Sequence, residues 1–270
     1  MNNLVFGKYI PIDSPIHRLD PRAKLLSLLI MIVAVFVPDS WWAYLVIGVL
    51  VLLEIFMAKL NIKFIISAFK PMIFMLIFLL IINALTVKSG TVLFAIGSFK
   101  FCSDALFNTL YVVVRLLLMI MITTCLTATT KPLDLTLGLE NLMKPLELLK
   151  FPTHEIAMMI SIALRFIPTI IEETLRIMNA QKSRGVDFEE GSLGQKITAI
   201  LSLIVPLFSV AFERAYELAD AMDARGYVPQ AKRTRYHVLK YRFADFVLIL
   251  ISILVLGFSI YTKVCLWDIK

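Results

Sequence analysis

Five long apolar runs constrain this chain more than any other feature of its sequence. Soluble domains hold about 45–50% apolar and about 25% charged residues. Here 59% of the 270 residues are hydrophobic and 17% are charged. Such runs indicate helices that cross a membrane, because a helix satisfies its backbone hydrogen bonds internally. They cover residues 21–37, 41–59, 69–87, 105–130 and 243–267.

The first two runs predict a tight helical hairpin, and the first run is the shortest of the five. Asp20 fits the N-cap position and Pro21 fits the first helical position. At 1.5 Å per residue, residues 21–37 nearly cross a thin hydrocarbon core of about 27 Å. Trp41 and Trp42 suit the membrane interface at the start of the second run. The hairpin either spans the membrane or re-enters on the same side.

The distribution of Lys and Arg predicts the orientation. Basic residues concentrate before the first run, between the second and third, and throughout residues 131–242. The opposite side receives Lys88, Lys100, Lys263 and Lys270. The positive-inside rule therefore predicts about five spans in the cell membrane, with the N-terminus cytoplasmic and the C-terminus extracellular. We attribute the net charge of +7 to basic residues that set the orientation in the membrane, and not to nucleic-acid binding. Residues 88–104 fit an exposed loop or a short hairpin.

The insertion between the last two runs is helical but not a polar soluble domain. Apolar residues recur at helical spacing in residues 152–185 and 192–226, and both segments begin more apolar and end more charged. Pro168 and Pro206 interrupt them and predict a kink in each helix. A third amphipathic piece is broken at Pro145 and fits a helix on the membrane surface. We divide the chain into residues 1–130 (four membrane helices), 131–242 (cytoplasmic domain) and 243–270 (last membrane helix).

Both long helices of the insertion end in an Arg-Gly pair after a small residue. Ser183-Arg184-Gly185 closes the first helix, and Ala224-Arg225-Gly226 closes the second. Each pair fits an ordinary C-cap, with the glycine left-handed and the arginine at the negative end of the helix dipole. The planar guanidinium also suits insertion into a groove of acidic or carbonyl acceptors. We expect the two tips side by side beneath the bilayer, as a two-point lever.

Three segments resemble the transmembrane coupling (T) component of energy-coupling-factor (ECF) transporters, the family that includes the cobalt-transport permease subunit. They read SPIHRLDPRAKLL, ALRFIPTIIEETLRIMNAQKSRG and FERAYELADAMDARGY. The resemblance covers nearly the whole chain. In that family two Xaa-Arg-Gly motifs dock into grooves on two ATPase subunits. Ser183–Gly185 and Ala224–Gly226 match them, and the first differs from the common Ala-Arg-Gly by one hydroxyl.

The resemblance implies an all-α membrane protein whose long kinked coupling helices carry ATP-driven motion to a separate substrate-binding S component, for vitamin or metal-ion uptake. Arg184 and Arg225 are then anchors and not catalysts, so the chain is not an enzyme. It binds no cofactor itself, and ATP and Mg are bound by the partner subunits. The implied partners are two ATPase subunits, an S component and the lipid bilayer. Contacts with the S component, or between the two helices, are expected from Ile160, Leu164, Ile204 and Phe208.

Two alternatives come from other classes of protein. One is a permease of another ABC-type transporter that holds the substrate itself. The other is a membrane prenyltransferase-like enzyme, in which Asp220 and Asp223 would bind magnesium pyrophosphate, although no second acidic cluster accompanies them. The sequence contains no P-loop, so ATPase activity must come from other chains. Its three histidines and three cysteines are widely spaced and indicate no metal site.

Polar residues within the apolar runs are candidates for contacts between spans. Arg115 lies in the fourth run and either pairs with Glu54 inside the bundle or reaches the interface. The sequence admits two alternative roles for Arg115, one functional and one structural. Asn83 and Asn108 fit hydrogen bonds that bridge two spans.

Overall fold

The computed structural model describes residues 9–38, 40–61, 67, 69–70, 72–86, 92–96, 99–145, 152–188, 191–228 and 239–267. These ranges contain eight long helices and one two-stranded hairpin. The helices are α1 (Pro21–Phe36), α2 (Trp41–Met57), α3 (Met72–Thr86), α4 (Ser103–Thr129), α5 (Pro132–Met143), α6 (Thr153–Ser183), α7 (Leu193–Ala224) and α8 (Phe243–Trp267). The strands are β1 (Val92–Ile96) and β2 (Phe99–Cys102). The predicted all-α class is confirmed, and the five apolar runs correspond to α1, α2, α3, α4 and α8.

Two compact units make up the chain. The first combines Met1–Asn141 with Leu239–Lys270, and the second is Leu142–Val238. The first unit therefore holds α1 to α5, the hairpin and α8, and the second holds α6 and α7. The boundaries at residues 130 and 242 stay predictions as limits of functional domains.

The core of the first unit lies between α1, α2, α4 and α8. Helix α1 makes its most extensive contacts with α8 and also packs on α4, while α2 packs on α4 and α8. Helix α3 packs on α4. The cluster of buried apolar side chains includes Met31, Val35, Ile47, Val51, Leu118, Met121, Ile122 and Val255.

Small and polar residues form the seam between α1 and α8. Asp245, Ser252 and Ser259 recur every seventh residue of α8, so they share one face, and each is at most 1% exposed. On α1, Ala23 and Ser27 are also buried, and the hydroxyls of Ser27 and Ser252 are 2.6 Å apart. Small residues let two membrane helices approach closely, so this composition favours the pairing.

The first turns of α1 and α8 are tied together through Asp245. The Asp20 side chain accepts the backbone N–H of Arg22 at 2.9 Å, which confirms the predicted N-cap ahead of Pro21. The Asp245 carboxylate accepts the backbone N–H groups of Asp20 at 2.8 Å and Arg242 at 2.6 Å. Arg22 donates to the carbonyl of Leu239 at 2.8 Å. Both helices therefore start at the same end of the bundle.

Residues 9–20 form a strap across this same end. The backbone N–H of Ile10 donates to the carbonyl of Ala128 near the end of α4 at 3.0 Å. The His17 ring spans the strap, with Nε2 at 3.0 Å from the Ile10 carbonyl and Nδ1 at 2.7 Å from the Ser14 hydroxyl. The strap thus joins the start of α1 to the end of α4.

The polar residues within the apolar runs make contacts that only partly match the prediction. Arg115 donates to the Tyr44 hydroxyl at 2.9 Å, and Tyr44 donates to the Pro38 carbonyl at 2.9 Å. The predicted pairing of Arg115 with Glu54 is wrong, because Glu54 lies ten residues beyond Tyr44, about 15 Å along α2. The predicted bridge from Asn83 is confirmed, since its amide donates to the Thr109 hydroxyl of α4 at 3.0 Å. Asn108 is exposed.

The predicted loop or hairpin before α4 is a β-hairpin. Strands β1 and β2 are antiparallel, with Phe94 opposite Phe101 and Ile96 opposite Phe99. The register is irregular between Val92 and Phe94.

Four helices in the described part of the chain are long and apolar enough to cross a membrane. They are Leu106–Thr129, Thr153–Ser183, Leu193–Ala224 and Phe243–Cys265. Shorter apolar helices cover Trp41–Met57 and Met72–Asn83. This set indicates a multi-pass membrane protein. Length and composition also admit α6 and α7, which the sequence predicts to lie in the cytoplasm, so the number of spans stays a prediction.

In the second unit, α6 and α7 pack against each other. Helix α7 starts with a capping box, in which the Ser192 backbone N–H donates to the Gln195 side chain at 2.8 Å. Pro168 and Pro206 lie inside continuous helices. Because proline has no N–H, each removes one helical hydrogen bond, to the carbonyl four residues earlier. The kinks expected at these prolines stay predictions.

Candidate functional site

The end of α6 forms a closed C-cap around Gly185. The backbone N–H of Gly185 donates to the Lys182 carbonyl at 3.0 Å, and that of Val186 donates to the Gln181 carbonyl at 3.1 Å. This pair of bonds is the Schellman motif, which needs a left-handed residue after the helix. Gly185 supplies it with φ of 86°. We call Ser183–Gly185 the first tip.

The end of α7 repeats this structure around Gly226. The N–H of Gly226 donates to the Asp223 carbonyl at 2.9 Å, and that of Tyr227 donates to the Met222 carbonyl at 3.0 Å. Gly226 has φ of 70°. Arg225 has φ −88° and ψ 7°, against φ −88° and ψ 5° at Arg184. The second tip, Ala224–Gly226, therefore has the same backbone geometry as the first.

Both tips are open to their surroundings. A Cβ atom built on Gly185 or Gly226 would meet no atom within 4 Å. Arg184 and Arg225 are exposed, and among the described residues neither guanidinium has a hydrogen bond or ion pair. Each guanidinium thus keeps five donors for a carboxylate or for carbonyl groups of another molecule.

Ordinary capping explains part of this arrangement. The glycines close the Schellman motifs, and an arginine beside the last carbonyls interacts favourably with the helix dipole. Capping does not require the arginine to point away without a partner, or the space beside both glycines to be empty. The geometry therefore fits two sites at which a second protein can approach the backbone closely.

The two tips lie at opposite ends of α7. Gly185 and Val186 line the same cleft as Ser192, Gln195 and Thr198, which places the first tip beside the start of α7. From Thr198 to Arg225 an α-helix rises roughly 40 Å. The expectation of neighbouring tips is therefore wrong, because α7 itself separates them.

Apolar side chains remain uncovered along both helices. Ile160 and Leu164 lie one turn apart on α6, and Ile204 and Phe208 lie one turn apart on α7. Phe208 is 61% exposed and stacks on Phe212 with ring centroids 6.3 Å apart. Pro168 follows Leu164 by one turn and Pro206 lies between Ile204 and Phe208, so both prolines precede the charged final turns. The predicted contact residues thus lie between the start of each helix and its tip.

Sequence reasoning missed the ionisable residues buried in the first unit. The Lys24 ammonium donates to the Thr129 carbonyl at 3.0 Å and to the Thr130 hydroxyl at 3.1 Å. Asp245 is completely buried in the first turn of α8. A charged residue at the edge of an apolar run is a signal that could have identified both.

Comparison with known proteins identifies the family. The sequence model of the family described as "Cobalt transport protein" (CbiQ) matches residues 13–237. The chain is 43% identical over 261 residues to the energy-coupling factor transporter transmembrane protein EcfT of Streptococcus thermophilus, covering 97% of this chain and 98% of the relative. It is 40% identical over 256 residues to EcfT of Lactococcus lactis subsp. cremoris, covering 95% and 96%. It is 40% identical over 257 residues to EcfT of Bacillus subtilis, covering 95% and 97%.

The aligned relatives cover nearly the whole chain, including the membrane bundle and both tips. The family model also covers both tips but ends before α8. The prenyltransferase alternative is overturned by these matches, because the family is a membrane component of transporters. The chain belongs to the cobalt transport protein (CbiQ) family of energy-coupling factor transporter transmembrane proteins, and it is a transport protein of the membrane, not an enzyme.

Proposed function

We propose that this chain couples two ATPase subunits to a separate substrate-binding membrane protein, the S component, during uptake of a vitamin or metal ion. One observation carries the proposal: two helix ends with the same backbone geometry each present an exposed arginine beside an open glycine. Family membership supports the transport role. The number of tips matches two ATPase subunits, one for each arginine.

Each tip would dock by a combination of charge and close approach. Arg184 and Arg225 insert a planar fork of donors into a groove with acidic or carbonyl acceptors. Ser183 and Ala224 keep the preceding position small, and the glycines leave room for the groove wall. A separation of roughly 40 Å along α7 lets the two tips contact different subunits at once. Relative motion of those subunits would then exert a force on both ends of α7.

The two long helices would transmit this motion. Each has a charged final portion that ends in a tip and an apolar portion that is exposed within the second unit. Ile160, Leu164, Ile204 and Phe208 would contact the S component or cross each other. Pro168 and Pro206 would each weaken the helical hydrogen-bond ladder ahead of the charged portion, where the helix would bend most easily.

This role requires no cofactor on the chain itself. ATP and Mg would bind to the partner subunits, and the transported substrate would bind to the S component. The second unit and the N-terminus would face the cytoplasm, and the C-terminus would lie outside. Tight binding of a vitamin by the purified chain alone would favour a substrate-holding permease over this proposal.

The decisive experiment reverses both tip charges, with Arg184→Glu and Arg225→Glu in one chain. An arginine at the centre of an interface is often worth about 2 kcal/mol or more, so the double change should weaken ATPase binding on the order of a thousandfold. Co-purification of the ATPase subunits and substrate uptake in cells measure the outcome. Membrane insertion should be normal. Normal assembly with normal uptake would refute the anchor roles.

A matched control reverses two other arginines of the same helices. Arg176 and Arg214 have side chains 78% and 45% exposed and pair with Glu173 and Glu217 within α6 and α7. The double change Arg176→Glu and Arg214→Glu alters net charge equally but leaves the tips intact, so assembly should persist.

A second pair of variants separates docking from capping. Asparagine tolerates the left-handed conformation, so Gly185→Asn and Gly226→Asn keep the caps but add side chains to the open space. We expect folded chains that bind the ATPase subunits weakly. Full binding would mean that the glycines serve capping alone.

A further inference from the structure

An apolar cavity of about 330 Å³ lies in the first unit between the strap, α2 and α8. Its lining includes Ile16, Leu53, Met57, Phe243, Val247 and Ile251. One ionisable side chain, Glu54 of α2, and one hydroxyl, that of Ser252, complete the polar part of the lining. We call this space the Glu54 cavity. Its volume lies within the range of small-molecule sites, roughly 300–1,000 Å³.

Glu54 is half-buried and lines this cavity. It also lines a second, smaller cavity of about 40 Å³, together with Lys24, Ser27 and Cys125, which are all buried. Leu53 of α2 and Phe243 of α8 also line the cavity and are 51% and 85% exposed, so the cavity opens beside these two residues. A molecule that enters there meets mostly apolar side chains, and Glu54 is the one ionisable group of this lining.

The polar groups around Glu54 are already engaged with other partners. The Ser252 hydroxyl lies 2.9 Å from the Leu248 carbonyl and 2.6 Å from the Ser27 hydroxyl. The Lys24 ammonium donates to Thr129 and Thr130, as described above. Among the described residues the Glu54 side chain makes no hydrogen bond or ion pair. Ionisation of a carboxyl group in apolar surroundings is unfavourable unless a cation pairs with it, so a cationic occupant would stabilise the ionised form of Glu54.

We infer that the Glu54 cavity binds a single-chain amphiphile with a protonated primary amine, whose ammonium group donates to the Glu54 carboxylate while its alkyl chain lies along the apolar wall. Charge complementarity selects the amine, because a fatty acid would place a second carboxyl group against Glu54. An alcohol can donate one neutral hydrogen bond, which is weaker than a charge-assisted one. The apolar mouth admits such a chain directly from the bilayer.

The test uses the full chain in phosphatidylcholine nanodiscs with three probes of equal chain length: dodecylamine, dodecanol and dodecanoic acid. Native mass spectrometry counts bound probe, and thermal unfolding measures stabilisation. We expect dodecylamine to saturate at one molecule per chain and to bind about tenfold or more tightly than dodecanol. Glu54→Gln should remove this preference, while Glu172→Gln on the exposed part of α6 should retain it.

A second variant keeps the test decisive if Glu54→Gln does not fold. Ala244→Phe adds a ring to the lining without changing charge and should abolish saturable binding of dodecylamine. Non-saturating uptake of all three probes, equal in the wild type and both variants, would overturn the proposal. So would a Glu54→Gln chain that retains the amine preference, since Glu54 would then be only a distant counter-charge for Lys24.

Discussion

At the scale of single residues, His17 shows how a local contact depends on protonation. Its Nε2–H donates to the Ile10 carbonyl, so Nδ1 is left to accept from the Ser14 hydroxyl. Both bonds are made by the neutral ring. Burial lowers the pKa of His17 below its ordinary value of 6.5. Protonation would place a charge on a partly buried ring and reverse the contact with Ser14, whose hydroxyl would then have to accept from Nδ1.

This lowered pKa predicts a pH dependence of stability. The unfolded chain binds the proton more readily than the folded chain, so the contribution of His17 is complete above pH 6.5. It is lost as the pH falls from there through the lowered folded pKa. The melting temperature of the full chain in detergent should therefore fall more steeply between about pH 7 and pH 5 in the wild type than in His17→Gln. Parallel profiles would contradict the prediction.

Sequence rules predicted single residues well where the contact is local. Asp20 caps its own helix, and the glycines of both tips occupy the left-handed positions that C-capping requires. They did not identify which residue a remote partner would be. Arg115 finds Tyr44, 71 residues away, and not Glu54, because both candidates lie on α2 and only the packing of α2 on α4 decides between them.

At the scale of secondary-structure elements, the pairing of α1 with α8 dominates the first unit. The bounds of both helices follow from their apolar runs, but nothing in those runs identifies them as neighbours. Seven-residue spacing of Asp245, Ser252 and Ser259 defines one face of α8, and this face is recognisable only after α1 is seen against it. Asp245 then joins the first turns of both helices.

We predict that replacing the Asp245 carboxylate measurably lowers the stability of the first unit. Asp245→Asn keeps the shape but has one acceptor oxygen, so one of the two backbone N–H groups loses its partner inside the bundle. We expect the free energy of unfolding to fall by about 1–3 kcal/mol, measured by titration with sodium dodecyl sulfate in mixed micelles.

Asp13→Asn is the control for this change. It removes an exposed carboxylate that pairs with Arg18 at the surface, where an ion pair contributes little. Equal effects of the two substitutions would show that Asp245 does not hold the helices together.

At the scale of the whole molecule, the orientation in the membrane rests on the distribution of Lys and Arg. The tips can meet ATPase subunits only if the second unit faces the cytoplasm. The proposed topology puts the two chain termini on opposite sides, so labelling of the termini tests it directly.

Two single-cysteine chains provide that test. In a background with Cys102, Cys125 and Cys265 replaced, Lys270→Cys should react with a membrane-impermeant maleimide on intact cells. Asn3→Cys in the same background should react only after the cells are permeabilised, because the proposed topology places the N-terminus in the cytoplasm. The reverse pattern would invert the topology and remove the tips from the side where ATP is available.

The seam between α1 and α8 also sets a condition on biosynthesis. Ser27 and Ser252 are 225 positions apart, so the first helix meets its main neighbour only after the ribosome has added more than two hundred further residues. At about 5–20 residues per second, the nascent bundle stays open on the order of ten seconds or longer. During that interval the small-residue face of α1 must be shielded by lipid or by the insertion machinery. A transcript that stops before residue 243 would leave that face uncovered for the lifetime of the product.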